Sequence, residues 1–438
     1  MKFEVELISK EIVKPSSPTP DHLRHYQLSF LDQVCPKTYN PLVFFYELNS
    51  DHNITEISNK IKKSLSEVLT LYYPLAGRVE NDRFVDCNDE GVPYSVARVI
   101  STCHLSDAIK NPLPSELCKF LPFELHPITE FALGVQLNVF EHGGIAVGLC
   151  ISHQLADALS CIMFAKTWVA IARGEGDRVA RPEFVSATLF PPKDDPGFDA
   201  TSMVTKKAVS KRFVFDASVI EALRLKYKSK ERTVLEDQDD QIRPSRIEAL
   251  SAFIWNRFVA ATSDLYSAKT EKVYTVVHPA NIRPRLDPPL PEHSFGNLSR
   301  FSFVILSTGQ ENGCDLVRLI REGIRKVDMD HLRKVQQGED SHLDLLLNYT
   351  KELMVKGGEY ISLGFTSLCR FPLYEADFGW GEPIWVSSAA LCFSNFIVFM
   401  DTKTGNGIEA YIGLKEEHMA KLEADEDFLR AVSPIGGS

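Results

Sequence analysis

The chain reads as an α/β protein in two parts, and three observations carry that reading. Apolar runs of strand length alternate along the sequence with longer runs at helical spacing. A stretch rich in proline and aspartate, Pro191–Gly197, interrupts the alternation near the middle. The length of 438 residues leaves room for about two to three domains, and a composition 44% hydrophobic and 24% charged is that of an ordinary globular protein with a large core.

Taken in order, the elements start after a proline-punctuated lead-in, Lys14–Pro20, where missing N–H donors and fixed φ favour extended chain. Ile57, Ile61, Leu65, Val68 and Leu69 recur at helical spacing within 54–71, and Tyr73-Pro74 ends that helix. An extended stretch is expected at Leu75–Val79, a strand and turn at Phe84–Val92, and another strand at Tyr94–Ile100. Ala132–Phe140, the turn Glu141–Gly144 and Ile145–Ser152 predict a hairpin. Ala158–Ala172 predicts an apolar helix.

Residues 1–190 are therefore expected to form one domain, 191–210 a linker and 211–438 a second domain. The second opens with a strand at Lys211–Asp216, a helix from about Ala217 and an acidic loop at Glu236–Asp240. Ser245 and Glu248 have the spacing of a capping box, which starts a helix running to about Ala261. Strands at Val273–Pro279 and Ser299–Leu306 flank a proline-rich loop at Pro284–Pro291, and a helix is expected over Cys314–Val327.

A net charge of −11 and the lack of a basic stripe argue against a nucleic-acid partner. The first twelve residues mix charge into their apolar positions, so no secretory leader is expected, and no apolar run reaches the ~20 residues of a membrane span. Nine scattered cysteines without a C-x-x-C pair read as reduced thiols in a cytoplasmic protein, and the chain is expected to be a monomer. The sequons at Asn53, Asn297 and Asn348 are then unused.

Between the predicted strand ending at Ser152 and the predicted helix starting at Ala158 stands His153-Gln-Leu-Ala-Asp157. A histidine at an element end can face a cavity, and imidazole is the usual general base near neutral pH. Most of the twelve histidines of such a chain are structural, however, and H-x-x-x-D is short enough to recur by chance. Phosphate loops, nucleophile elbows, zinc-protease helices and dinucleotide fingerprints are absent. No other histidine has ligand spacing to His153 and Asp157, which argues against a metal. Cys150 lies on the opposite strand face and reads as core. Asp377-Phe-Gly-Trp-Gly381 reads as architecture: glycines permit a tight path, a large ring pins it, and neither residue type transfers protons.

H-x-x-x-D near the middle with D-F-G-W-G near the end resembles the BAHD acyltransferases of plants, which move an acyl group from a CoA thioester to an alcohol or amine. Leu28–Gln33, Tyr72–Arg78, Val85–Asp89, Asn281–Arg285 and Pro288–Asn297 support the resemblance along the whole length. Within the family the chain is most similar to the vinorine synthase-like branch of alkaloid and terpenoid acetyltransferases. The resemblance implies two chloramphenicol acetyltransferase-like domains with mixed sheets and flanking helices, a long crossover loop at 191–210, and an active-site channel between the domains. It implies acetyl-CoA or another acyl-CoA as co-substrate, a small hydroxylated metabolite as acceptor, and no permanently bound cofactor.

Carried over by resemblance, His153 is the general base, Asp157 pairs with Arg283 to brace the loop, and Asp377, Gly379, Trp380 and Gly381 support the site from a distance. Ser245, Ala280 and Thr366 resemble positions that contact CoA, and Lys206, Lys207, Lys211 and Arg212 form a basic cluster that could meet its phosphates or face solvent. Leu368 departs from the family, where many members carry a tryptophan whose N–H can assist an oxyanion. Transfer of acetyl to a metabolite hydroxyl is the leading expectation. Benzoyl or hydroxycinnamoyl transfer and a non-catalytic binding homologue stay open beside it.

Overall fold

The computed structural model describes residues 2–48, 53–100, 104–197, 204–205, 208–228, 243–262, 272–306, 311–339, 348, 350–353, 355 and 357–433. Tertiary contacts divide the chain into two units. The first comprises Met1–Lys206, Leu286–Ser299 and Arg370–Cys392, and the second comprises Lys207–Arg285, Arg300–Cys369 and Phe393–Ser438. The two later segments of the first unit come from beyond the linker expected at 191–210. The acidic loop at 236–240 lies outside the described residues.

In the first unit the strands are β1 (Glu4–Val13), β2 (His25–Gln27), β3 (Tyr39–Tyr46), β4 (Arg78–Glu80), β5 (Phe84–Asp86), β6 (Val92–Ile100), β7 (Leu133–Phe140) and β8 (Ile145–Ser152). Its helices are α1 (Phe30–Gln33), α2 (Ile54–Leu71), α3 (Leu105–Ala108), α4 (Pro114–Leu117), α5 (Ala158–Ala172) and α6 (Ser186–Leu189). A mixed sheet runs β1-β6-β7-β8-β3 and ends on a late strand, Trp385–Ser387. Only β6 and β7 are parallel among these pairs. Every residue of β8 is buried, as its unbroken apolar run requires. The predicted hairpin is β7–β8, antiparallel in register from Leu133↔Ile151 to Val139↔Ile145.

The periodic residues of α2 are its buried face, and α5 is buried nearly all round because it is apolar all round. The two helices meet where Trp168 Nε1 donates to Ser64 Oγ at 3.0 Å, so a buried indole N–H is satisfied. One expectation is corrected here. Leu75 and Ala76 close a 3₁₀ turn, Tyr73–Ala76, and the strand begins only at Arg78, because Pro74 pre-sets a turn-compatible φ.

The second unit adds β9 (Ala208–Phe215), β10 (Lys272–Asn281), β11 (Ser299–Leu306) and β12 (Glu359–Ser367), followed in chain order by β13, which is Trp385–Ser387 of the first unit, then β14 (Phe396–Asp401) and β15 (Ile408–Lys415). They form a mixed sheet in the order β11-β10-β12-β14-β15-β9. Helices α7 (Ala217–Lys226), α8 (Arg246–Thr262), α9 (Gly313–Arg325), α10 (Met329–Gln336), α11 (Glu416–Ala424) and α12 (Glu426–Ala431) accompany it. Phe215, Trp255, Leu363, Phe399 and Ile412 anchor its core. The capping box is present: Ser245 N–H donates to Glu248 Oε2 at 2.7 Å, and the Glu248 amide donates to Ser245 Oγ at 3.2 Å.

Candidate active site

His153 stands immediately after β8, in the turn that leads into α5. Its main chain is held on both sides: its N–H donates to Thr38 O at 2.8 Å, and its carbonyl accepts from Asn297 Nδ2 at 2.9 Å. Gln154 Nε2 bonds Asp82 Oδ1 at 2.9 Å, and Lys37 bonds the other oxygen of that carboxylate at 2.6 Å. Asn40 Nδ2 bonds Ala156 O at 3.0 Å. The turn is thus clamped residue by residue.

Asp157 is buried and caps α5. Its Oδ1 accepts the Ser160 amide at 2.9 Å and its Oδ2 accepts the Leu298 amide at 3.1 Å. An N-cap carboxylate satisfies an amide that the first helical turn leaves over and favours the positive end of the helix dipole. Ser160 extends the tie, because its Oγ donates to Gly296 O at 2.9 Å and accepts the Gly296 amide at 3.1 Å. Gly296 has φ +131°, and a Cβ there would meet Ser186 Oγ at 2.9 Å, so only glycine lets 294–298 pack this closely against the start of α6.

The side chain of His153 is part-buried and its Nδ1 is sealed from solvent. Proton exchange with another molecule is therefore left to Nε2. Burial holds the imidazole below its ordinary pKa, against opposing contributions from its own carbonyl, from Asp157 and from the Asn297 amide. The ring is accordingly neutral near pH 7, which is the form a base needs.

Asp32 and Asn297 complete the surroundings. Asp32 is fully buried and accepts from Ser29 N at 2.8 Å, Ser29 Oγ at 2.6 Å, Asn297 N at 3.0 Å and Asn297 Nδ2 at 2.9 Å. Burial pushes its pKa up and these donors pull it down. Neither residue stands out as a site residue in the sequence, although both lie in the conspicuous segments Leu28–Gln33 and Pro288–Asn297. The sequon at Asn297 sits on a side chain 1% exposed, so the signal that could have found it was an amide at a position no glycan can reach.

Asp377–Gly381 packs at the other end of α5. Arg173, the C-cap, donates to Asp377 O at 2.7 Å. Fifteen residues at a rise of about 1.5 Å place this end roughly 22 Å from the His153 turn. Asp377 Oδ1 accepts the amides of Gly379 at 2.6 Å and Gly381 at 2.9 Å, and the two glycines have φ of +102° and +108°. Phe378 stacks on Trp380 at 5.2 Å and meets Trp168 edge-on at 4.8 Å. A cleft of about 370 Å³ opens beside this end, lined by Met163, Lys166, Arg173, Glu175 and Leu373 among others. No histidine, cysteine or serine lines it.

A profile of the Transferase family matches residues 3–429. The chain belongs to that family, the BAHD acyltransferases. It is 35% identical to stemmadenine O-acetyltransferase of Catharanthus roseus, over 97% of each chain. It is 36% identical to limonoid 21-O-acetyltransferase of Melia azedarach, over 99% of each. The crystal structure of vinorine synthase superposes with a TM-score of 0.82 at 34% identity, covering 98% of this chain and 99% of that one. This chain is an acyltransferase with two mixed-sheet, helix-flanked α/β domains.

The remaining positions of this acyltransferase that the resemblance singled out lie in the second unit. Ser245 is exposed at the start of α8, Ala280 is buried near the end of β10, and Thr366 lies on β12 opposite Val398. Ser245 Oγ accepts from the Glu248 amide, and its hydroxyl is among the groups that hold the Glu248 carboxyl below its ordinary pKa. Arg283 is 1% exposed and its Nη1 contacts Asn281 Oδ1 at 3.3 Å. The basic cluster divides: Lys211 pairs with Glu423 and buried Arg212 with buried Glu409, which leaves neither a freely solvated cation. Lys206 and Lys207 lie outside the described residues. Leu368 donates its amide to Phe399 O at 2.8 Å, so that N–H is committed to the chain. Among the described residues no helix is long and apolar enough to cross a membrane.

Proposed function

We propose that this acyltransferase moves an acetyl group from acetyl-CoA to a hydroxyl of a small plant metabolite of alkaloid or terpenoid type, with His153 as the general base. The carrying observation is the state of that imidazole: Nδ1 is sealed, Nε2 alone is left for exchange, and burial keeps the ring neutral. The acetyl group and the hydroxyl acceptor are supported by relatives named as O-acetyltransferases at 35–36% identity over nearly the full length.

In this reading Nε2 takes the acceptor's hydroxyl proton as its oxygen attacks the thioester carbonyl. The tetrahedral intermediate collapses by breaking the C–S bond, and the imidazolium returns the proton to the CoA thiolate. An ester and free CoA result, and no covalent enzyme intermediate forms. Asp157 holds the start of α5, Arg283 is a supporting residue of the site, and Asp377, Gly379, Trp380 and Gly381 brace the far end of the helix. Ser245, Ala280 and Thr366 contact CoA, the serine from a helix N-terminus. The protein works as a cytoplasmic monomer.

The test is incubation with acetyl-, malonyl-, benzoyl- and coumaroyl-CoA against a panel of hydroxylated alkaloids and terpenoids, with products read by mass spectrometry. O-acetylated products from acetyl-CoA alone are expected. Preferential use of an aromatic donor would overturn the acetyl assignment.

A further inference from the structure

Alternation divides β12 of the second unit into two faces. Ile361, Leu363 and Phe365 belong to the hydrophobic core, as do Ile397 and Phe399 of the neighbouring β14. Ser362, Gly364 and Thr366 therefore share the opposite face, and the register Gly364↔Phe396 and Thr366↔Val398 sets two β14 side chains beside them. Val277 of β10 flanks Gly364 on its other side. One contact on this face is closer than strand pairing alone requires. A Cβ on Gly364 would lie 2.6 Å from Phe396 Cδ2 and 2.9 Å from its Cε2, so the phenyl ring fills the space that a side chain at 364 would take. Phe393 braces that ring, with centroids 5.5 Å apart. Thr366 follows two residues on, roughly 7 Å along the strand. It is half-buried, and among the described residues its hydroxyl makes no hydrogen bond. A hydroxyl able to donate, beside a phenyl ring and the methyls of Val398, complements an acetyl group, whose oxygen accepts and whose methyl is apolar.

We propose that Phe396, seated over Gly364, closes the acyl end of the donor site and is the residue that limits transfer to acetyl. The inference rests on the reading of acetyl-CoA as donor and of Thr366 as one of its contacts. A phenyl in place of the acetyl methyl needs volume that the Phe396 ring already fills, and packed side chains yield such volume only at a cost. Selection of this kind penalises the wrong donor rather than favouring the right one. Gly364 is part of the device, since a larger residue there would push the ring off its seat.

The test offers equimolar acetyl- and benzoyl-CoA to the full chain with a hydroxylated acceptor from the panel above. The two esters are quantified by mass spectrometry, and their ratio reads the ratio of kcat/KM for the two donors. Phe396→Ala removes a phenyl ring, the group that a benzoyl donor brings. The wild type is expected to give the acetyl ester, and in Phe396→Ala the benzoyl-to-acetyl ratio should rise ~10²-fold. Phe396→Leu keeps an apolar side chain over Gly364, so it should admit butyryl-CoA and still refuse benzoyl-CoA, and it carries the test if the alanine variant does not fold. A folded variant as acetyl-selective as the wild type overturns the proposal and leaves the acetyl assignment standing. A wild-type preference for benzoyl-CoA overturns both. Phe301→Ala removes a ring from edge strand β11, where it is 36% exposed, and should leave the ratio unchanged. The same broadening there would trace the effect to general loosening of the sheet and also overturn the proposal. Calorimetric titration reads the donor site without turnover, so a failed His153 assignment leaves the test intact. In Phe396→Ala the affinity for benzoyl-CoA relative to acetyl-CoA should rise about tenfold while free CoA binds within about threefold of wild type. An unchanged relative affinity contradicts the proposal.

Discussion

The two ends of α5 are built from the same device and do different work. At each, an aspartate collects main-chain amides: Asp157 takes those of Ser160 and Leu298, and Asp377 takes those of Gly379 and Gly381. At the C-terminal end the rest is aromatic, with Phe378, Trp380 and Trp168 packed together and no group that titrates near neutral pH among them. At the N-terminal end the amide-collecting aspartate stands four residues after an imidazole whose Nδ1 is sealed from solvent, so that exchange is left to Nε2. A carboxylate inside a recurring motif is therefore no sign of catalysis by itself. Chemistry follows the group that retains an open lone pair.

The sharpest way to break the contrast is to remove the imidazole. His153→Ala should lower kcat by roughly 10²–10⁴-fold, the usual worth of a general base. Its main-chain bonds to Thr38 and Asn297 do not need the ring, so the unfolding midpoint should hardly move. Turnover close to wild type would refute the assignment.

Next in size is the cap. Asp157→Ala strips two buried amides of their acceptor, and the lost cap together with the unsatisfied Leu298 N–H should cost about 2–4 kcal/mol in denaturant unfolding. Activity per folded molecule should fall as well, since the turn it anchors carries His153. Asp377→Ala is the matched change at the other end. Its acceptor oxygen lies nearer solvent, so about 1–2 kcal/mol is expected, with kcat per folded molecule unchanged within about twofold. A stable Asp377→Ala protein with a selective loss of kcat would erase the distinction between the ends. Gly381→Ala isolates backbone strain, because a Cβ there meets nothing within 4 Å and only the φ of +108° opposes it. About 1 kcal/mol is expected, read as a small drop in melting temperature.

How much of this was legible in the sequence depends on whether the signal is local. The β7–β8 hairpin, the α2 face, the Ser245 capping box and β11 follow from short-range pattern, and they are where the sequence places them. β1 was not legible because this edge strand breaks its apolar residues with Glu4, Glu6, Lys10 and Glu11 and exposes most of its length. The Asp32–Asn297–His153 contacts link residues up to 265 apart in sequence, which no periodicity reports. The sequence separates His153 from His278, another histidine in an apolar run, by motif and by position at an element end, and the structure adds what each ring touches. His278 lies within β10, 6% exposed, bonded through Nε2 to Ser251 Oγ at 3.0 Å and stacked on Phe365 at 5.0 Å. Burial pushes it down to about 4, so it is neutral too, yet its Nε2 is spent on a serine. A neutral ring is necessary for a base and does not suffice.

The smallest expected effect lies in the pH profile, and it tests the same end of α5. An imidazole at its ordinary value of 6.5 would lose half its neutral form there. Burial opposes the charged ring at His153 more than its own carbonyl, Asp157 and Asn297 favour it, so the folded value lies lower and the base stays neutral further into acid. The acid limb of kcat/KM, which reports the free enzyme, should therefore fall below pH 6.5, with activity kept as pH drops through that value and lost only beyond it. A limb at or above 6.5 would mean that the aspartate and amide outweigh burial. The N-terminal end of α5 would then stabilise the imidazolium in the resting enzyme, and the base would work against its surroundings rather than with them.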